Sequence, residues 1–135
     1  MWHIIKNSND IIDFLSSVDF FHDSCIKELQ YVSGSYITSD FSMYAINDLR
    51  RLNIIIQQQS QMHPTIELEF SGLSEVIVRP QNPHYSTSEI LHIEMKYEEN
   101  MIVFYDSSDD KLGYGIYVCA ESVKWRFPGR KGRLA

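Results

Sequence analysis

Ile11, Ile12, Phe14, Leu15 and Val18 recur at the three- and four-residue spacing of a helix that buries one stripe. Ser8 or Asn9 can cap it, and Asp10 and Asp13 stand in the first turn, where the helix dipole favours acids. The spacing predicts a short helix over residues 9–18. Beyond Asp23 the period changes. Ile26, Leu29 and Tyr31 predict a first strand over 26–32, irregular near Lys27-Glu28 and stopped by Ser33-Gly34. Residues 38–50 read as a loop with mixed apolar content.

From Leu52 to Gln59 the run Ile54-Ile55-Ile56 predicts a strand buried on both faces. Ile66, Leu68 and Phe70 alternate with Glu67 and Glu69, as a half-buried strand does. Ser71-Gly72 then predicts a turn into a separate strand at Val76-Ile77-Val78, closed by Pro80, with a loop over 81–88. Leu91, Ile93, Met95 and Tyr97 alternate with His92, Glu94 and Lys96, so 89–97 reads as one strand. Glu98-Glu99-Asn100 is a short hairpin connection to a strand at 101–105, because Asn tolerates the left-handed conformation. A polar loop over 106–113 leads to a long last strand over 114–127. Short strands joined by hairpin signals point to an α+β, mainly β chain. Its antiparallel sheet, a sandwich or an open barrel, carries one short N-terminal helix packed on it.

At 135 residues this reads as one domain over 1–127, followed by a flexible basic tail over 128–135. No apolar stretch reaches the roughly 18 residues of a membrane span, and the N-terminus lacks the pattern of a secretory signal. The expected setting is cytoplasmic. There Cys25 and Cys119, 94 positions apart, would be packed thiols rather than metal ligands. The charge layout narrows the picture further. The net charge is −6, yet residues 1–123 hold all eighteen acids and seven of the twelve bases, a formal −11. An acidic body repels nucleic acid and attracts basic proteins. Trp125 and Phe127, interleaved with Lys124 and Arg126, therefore read as strand packing rather than a base-stacking platform.

Candidate chemistry is sparse. His22-Asp23 matches the doublet of the metal-dependent His-Asp phosphohydrolases. That family is all-helical and needs further ligands on other helices, whereas this doublet opens a β region. The favoured reading is structural: Asp23 or Ser24 caps a turn while His22 bonds to backbone. The alternative is a small hydrolase or ligand-binding protein that uses His22 and Asp23, with His92 as a further candidate. Glu67 and Glu69 share one strand face and His92, Glu94 and Lys96 another; if the faces coincide, they form a binding surface where His and carboxylates could hold a divalent metal, against the favoured reading of a mixed-sign solvent face. No phosphate-binding glycine loop, nucleophile elbow or metal spacing occurs, so no cofactor is expected.

Trp2, the short helix, Phe21-His22-Asp23-Ser24 leading into Ile26, and Trp125-Arg126 together resemble a class of small bacterial proteins, some of which are similar to the immunity proteins of toxin systems. The resemblance implies a small single domain that works by binding a protein, in an immunity-like or adaptor role. It carries no catalytic residue across. The expected partner is a basic protein, with a homodimer as a further expectation, and neither nucleic acid nor membrane.

Overall fold

The computed structural model describes residues 1–59, 62–79, 89–90, 92–107 and 115–128. The loop expected over 81–88, most of that over 106–113, and the tail beyond Pro128 lie outside the described residues. The chain runs through β1 (His3–Ile4), α1 (Ser8–Ser17), β2 (Ser24–Val32), β3 (Tyr36–Ile37), β4 (Met43–Tyr44), β5 (Arg51–Gln58), β6 (Thr65–Val78), β7 (Glu89–Ile90), β8 (Ile93–Glu98), β9 (Met101–Asp106) and β10 (Ile116–Arg126). Among the described residues no helix is long and apolar enough to cross a membrane.

The helix starts one residue earlier than the sequence suggests, because the cap is Asn7 rather than Ser8 or Asn9. Asn7 is extended and its side chain accepts from Asp10 N at 2.9 Å. Asp10 in turn accepts from Lys6 N at 2.8 Å, so two donors at the helix start are satisfied reciprocally. Ile11, Phe14 and Leu15 are buried, with Val18 at the C-cap, while Ile12 of the expected stripe points to solvent.

Seven strands form one antiparallel sheet in the order β7-β2-β5-β6-β10-β9-β8, and β1 adds a short pairing to β10. The sheet is not closed into a barrel. It is nevertheless rolled. Its two terminal strands, β7 and β8, are consecutive in the chain, with only Leu91 and His92 between them. Three Cα steps cannot exceed about 11 Å, so the two ends of the sheet come close together. The single strand expected over 89–97 is therefore two strands, one on each end of the sheet: Ser24 and Cys25 take Ile90 and Glu89, while β8 pairs with β9.

A second correction concerns Ser71-Gly72. The expected turn is absent, and β6 runs unbroken for fourteen residues. Pairing with β10 along both halves holds it straight, with one irregularity where Cys119 faces Glu75 and Ala120 faces Leu73. Gly72 adopts φ 69°. A Cβ there would meet the Glu121 side chain at 2.6 Å, so the glycine serves close approach of two strands rather than reversal. A third concerns 38–50, which is not all loop, since β4 lies inside it and pairs with β3. The irregularity expected near Lys27-Glu28 is present as a register shift between Ile26 and Glu28. The Glu99-Asn100 turn is also present, both residues at positive φ, as a two-residue hairpin requires.

The core lies inside the roll, closed by α1. Phe14, Phe21, Phe104 and Phe70 meet edge to face in that order, with centroids 5.4 to 6.3 Å apart. Ile54, Ile56, Ile66 and Leu68 fill the sheet side and are fully buried. Each such burial stabilises the fold by about 1.5–3 kcal/mol.

Candidate functional site

The Phe20–Ser24 junction is built from strained backbone. Asp19, Phe20 and Phe21 have φ of 52°, 54° and 61°, and Asp23 has 57°. Left-handed conformation costs an ordinary L-residue about 1–2 kcal/mol. Three consecutive residues hold it because Phe21 is anchored in the core and the turn closes on itself. Phe21 N donates to Val18 O at 2.9 Å and His22 N donates to Asp19 O at 3.0 Å. Ser24, buried, closes the turn through Oγ to His22 O at 3.4 Å. Asp23 makes no side-chain cap; its carbonyl accepts from Gln59 N at 3.2 Å and its side chain is exposed. Of the two capping candidates, Ser24 acts and Asp23 does not.

The roll brings His92 to this junction. His92 precedes β8 at the close approach of the two sheet ends, and its ring stacks on Phe20 with centroids 5.4 Å apart. The His22 ring lies 5.4 Å from it on a tilt of 55°. The two histidines, seventy positions apart in sequence, thus form one aromatic patch. Beside it a cleft of about 340 Å³ is lined by Asp23, Ser24, Cys25, Gln57, Gln58 and Gln59. Among the described residues no group of three or more His, Cys, Asp or Glu could hold a metal ion.

The other sequence candidates do not join them. Arg126 Nε binds Glu67 at 2.7 Å and Lys124 Nζ lies 3.3 Å from Glu69. Asn53 Nδ2 also donates to Glu67 at 2.8 Å. The Trp2 ring lies beneath both bases, 4.7 Å from Lys124 Nζ and 4.2 Å from Arg126 Cζ. Glu67 and Glu69 are therefore a neutralised ladder, half-buried under its own cations. Glu94 is exposed on β8 in the row Glu94–Tyr105–Tyr117–Ile77, ten residues along β6 from Glu67. Lys96, next on that face, reaches Glu98 at 3.9 Å. Its pKa is held above the ordinary lysine value, first by Tyr105 and then by Glu98. A second cleft, of about 490 Å³, opens between β1 and α1, where His3 stacks on Trp125 at 4.5 Å and Asp10 and Asp13 line the rim.

Sequence reasoning missed two features. Asp13, Asp19, Asp23, Glu94 and Glu99 make no salt bridge among the described residues, on elements that adjoin: α1 and the 19–21 turn both pack on β8. Charge counts alone do not separate these acids from the neutralised pair. The second is Tyr36, Ile37, Phe41, Met43, Tyr44 and Ile46, all exposed. Their signal was present as apolar residues inside a stretch bounded by turn residues. Compared with protein-family models, curated proteins and solved structures, the chain matches none.

Proposed function

We propose that this is a protein-binding domain that engages a basic partner, in an immunity-like or adaptor role. The observation that carries this reading is that five acids on α1, the junction and the β8–β9 hairpin make no salt bridge among the described residues. Elsewhere the bases Arg50, Lys124 and Arg126 are spent on Glu121, Glu69 and Glu67. What remains on these adjoining elements is mainly acidic, with Lys6 before α1 and Lys96 on β8 as the bases among it. Such a surface raises the encounter rate with a partner of opposite sign and suppresses others.

The test is affinity capture on the immobilised chain at about 0.1 M and 1 M salt, which shortens the Debye length from about 10 to 3 Å. A fourfold variant, Asp13→Asn, Asp19→Asn, Glu94→Gln and Glu99→Gln, runs beside the wild type. Basic proteins held by the wild type at low salt only, and lost from the variant, support the reading. Equal capture by both chains, or none by either, removes it.

The His22–His92 patch and the cleft beside Asp23 favour a second reading, a small hydrolase or ligand-binding protein. Saturable binding of a small molecule, abolished by His22→Ala or His92→Ala with thermal stability unchanged, would replace the first reading with this one.

A further inference from the structure

Residues 33–50 leave the sheet between β2 and β5 as an arm with a narrow neck. Ser33 O accepts from both Leu49 N at 3.0 Å and Arg50 N at 3.1 Å. Gly34 sits at the neck with φ 101°; a Cβ there would run into Asp48 Oδ1 and lie 2.9 Å from Leu49 N. Within the arm Tyr36 pairs with Tyr44 and Ile37 with Met43. Successive strand residues face opposite ways, so the tyrosines, stacked at 5.2 Å, occupy one face and Ile37 and Met43 the other. All four are exposed, and Phe41 at the tip is 88% exposed. A two-stranded hairpin is marginal by itself in water, and this one is apolar on both faces.

Among the described residues one strand edge is also left open. β5 accompanies β6 only as far as the Leu52–Phe70 pair, after which Leu73 N turns to Arg50 O at 3.1 Å. From Ser74 to Val78, β6 pairs with β10 alone among the described residues. Val76 and Val78 are 38% and 43% exposed, while the residues they face across the ladder, Val118 and Ile116, are 0% and 1% exposed. The buried layer stops one strand short at this end.

We infer that these two features complete each other between copies. The arm of one chain lies along the β6 edge of a second copy, over Val76 and Val78, and the exchange is reciprocal about a two-fold axis. Charge argues for a second copy over the basic partner of the acidic face. Between Ser33 and Asn47 the sole charged residue is Asp40, and its carboxylate is taken by Thr38 Oγ1 and Ser42 N. An arm of that kind offers no steering to a cation. The open edge is balanced too, with Glu75 and Arg79 both exposed, so like charge does not oppose the docking. Seven large hydrophobics of the arm itself, from Tyr36 to Leu49, are 39% to 88% exposed, and a reciprocal exchange brings two such arms and two open edges into one interface. An unpaired edge that accepts an extended segment supplies the backbone hydrogen bonds. This inference stands apart from the acidic face and does not depend on it.

Sedimentation equilibrium of the full chain, from about 1 µM to 1 mM to span ordinary dimer affinities, tests it. The wild type should be a dimer in this range. The double variant Phe41→Asp, Met43→Asp should be monomeric, and so should Val76→Arg. Mixing these two variants should restore association well above either alone, because the intact arm of one meets the intact edge of the other. Thermal unfolding of the isolated variants separates lost association from lost fold, since all three positions are exposed. A wild type that stays monomeric overturns the inference. So does a dimer indifferent to Val76→Arg, or a mixture that fails to associate. A monomer whose arm instead binds neutral phosphatidylcholine vesicles overturns it as well, and assigns the arm to lipid.

Discussion

Leu52 to Ile56 on β5 and Tyr36 to Ile46 on the arm are both rich in large apolar side chains, yet they end in opposite surroundings. Leu52, Ile54, Ile55 and Ile56 are at most 7% exposed, whereas Tyr36, Ile37, Phe41, Met43, Tyr44 and Ile46 are 46% to 88% exposed. The difference is not composition but neighbours. β5 has β2 on one edge and β6 on the other, with α1 and the rolled sheet covering its inner face. Among the described residues β3 pairs with β4 alone. An apolar residue is buried when elements arrive on both sides of its strand and over its face, and the arm's short strands recruit none among the described residues.

The sharpest way to break that contrast is a pair of truncations. Phe104, fully buried between Phe21 and Phe70, should lose about 3–5 kcal/mol of stability on Phe104→Ala. Phe41→Ala should change the stability of the monomer by less than about 0.5 kcal/mol. Denaturant unfolding at a concentration that keeps both chains monomeric reads the two; similar losses would mean that the arm packs on its own body after all.

The neck gives the next largest effect. Gly34→Ala forces a side chain onto φ 101° and against Leu49 N, a strain of about 1–3 kcal/mol. Hydrogen exchange should show the Leu49 and Arg50 amides opening about tenfold faster or more, with β5 amides unchanged. Altered β5 exchange or an unaltered neck would contradict the close fit at Gly34.

The strained junction should move the other way. Asp23 holds φ 57° without a side-chain bond, so Asp23→Gly should raise stability by up to about 1 kcal/mol. A loss on thermal unfolding would show that the carboxylate contributes something the geometry does not display.

The smallest effect belongs to Tyr97, whose hydroxyl donates to Ile5 O at 3.4 Å. Burial first, and Asp10 second, push its pKa above the ordinary phenol value of 10.0. The unfolded chain then releases this proton near pH 10 and the folded chain only at higher pH. The folded state binds more protons across that window, so stability falls as pH rises through it. Tyr97→Phe should flatten that alkaline decline in urea midpoints measured above pH 9.5 or so. An unchanged slope would place the decline elsewhere.

Much of the body was legible in the sequence because local patterns there agree with tertiary needs. The helical stripe from Ile11 to Val18, the alternation Ile66-Leu68-Phe70 and the Glu99-Asn100 turn each encode their own conformation within a few residues. The Phe20–Ser24 junction was legible as a break in period. Its left-handed backbone was not, since only the pull of Phe21 into the core makes three such residues tolerable. The pairing of His22 with His92 was hidden for a related reason, because it depends on the roll that carries β8 round to the junction.

Local pattern thus determined the helix, most residues of the long strands β2, β5, β6, β8, β9 and β10, that the sheet is antiparallel, and that the body is acidic. Tertiary structure decided three things a pattern cannot hold. It ran β6 straight through Ser71-Gly72, because β10 pairs on both sides of that glycine. It placed β7 and β8 on opposite ends of one sheet, because the order of strands is a long-range choice. And it sorted the acids, half-burying Glu67 and Glu69 under Arg126 and Lys124 while leaving Asp13, Asp19, Asp23, Glu94 and Glu99 without a salt bridge among the described residues. Charge compensation acts over a few ångströms of space, and sequence distance says nothing about those.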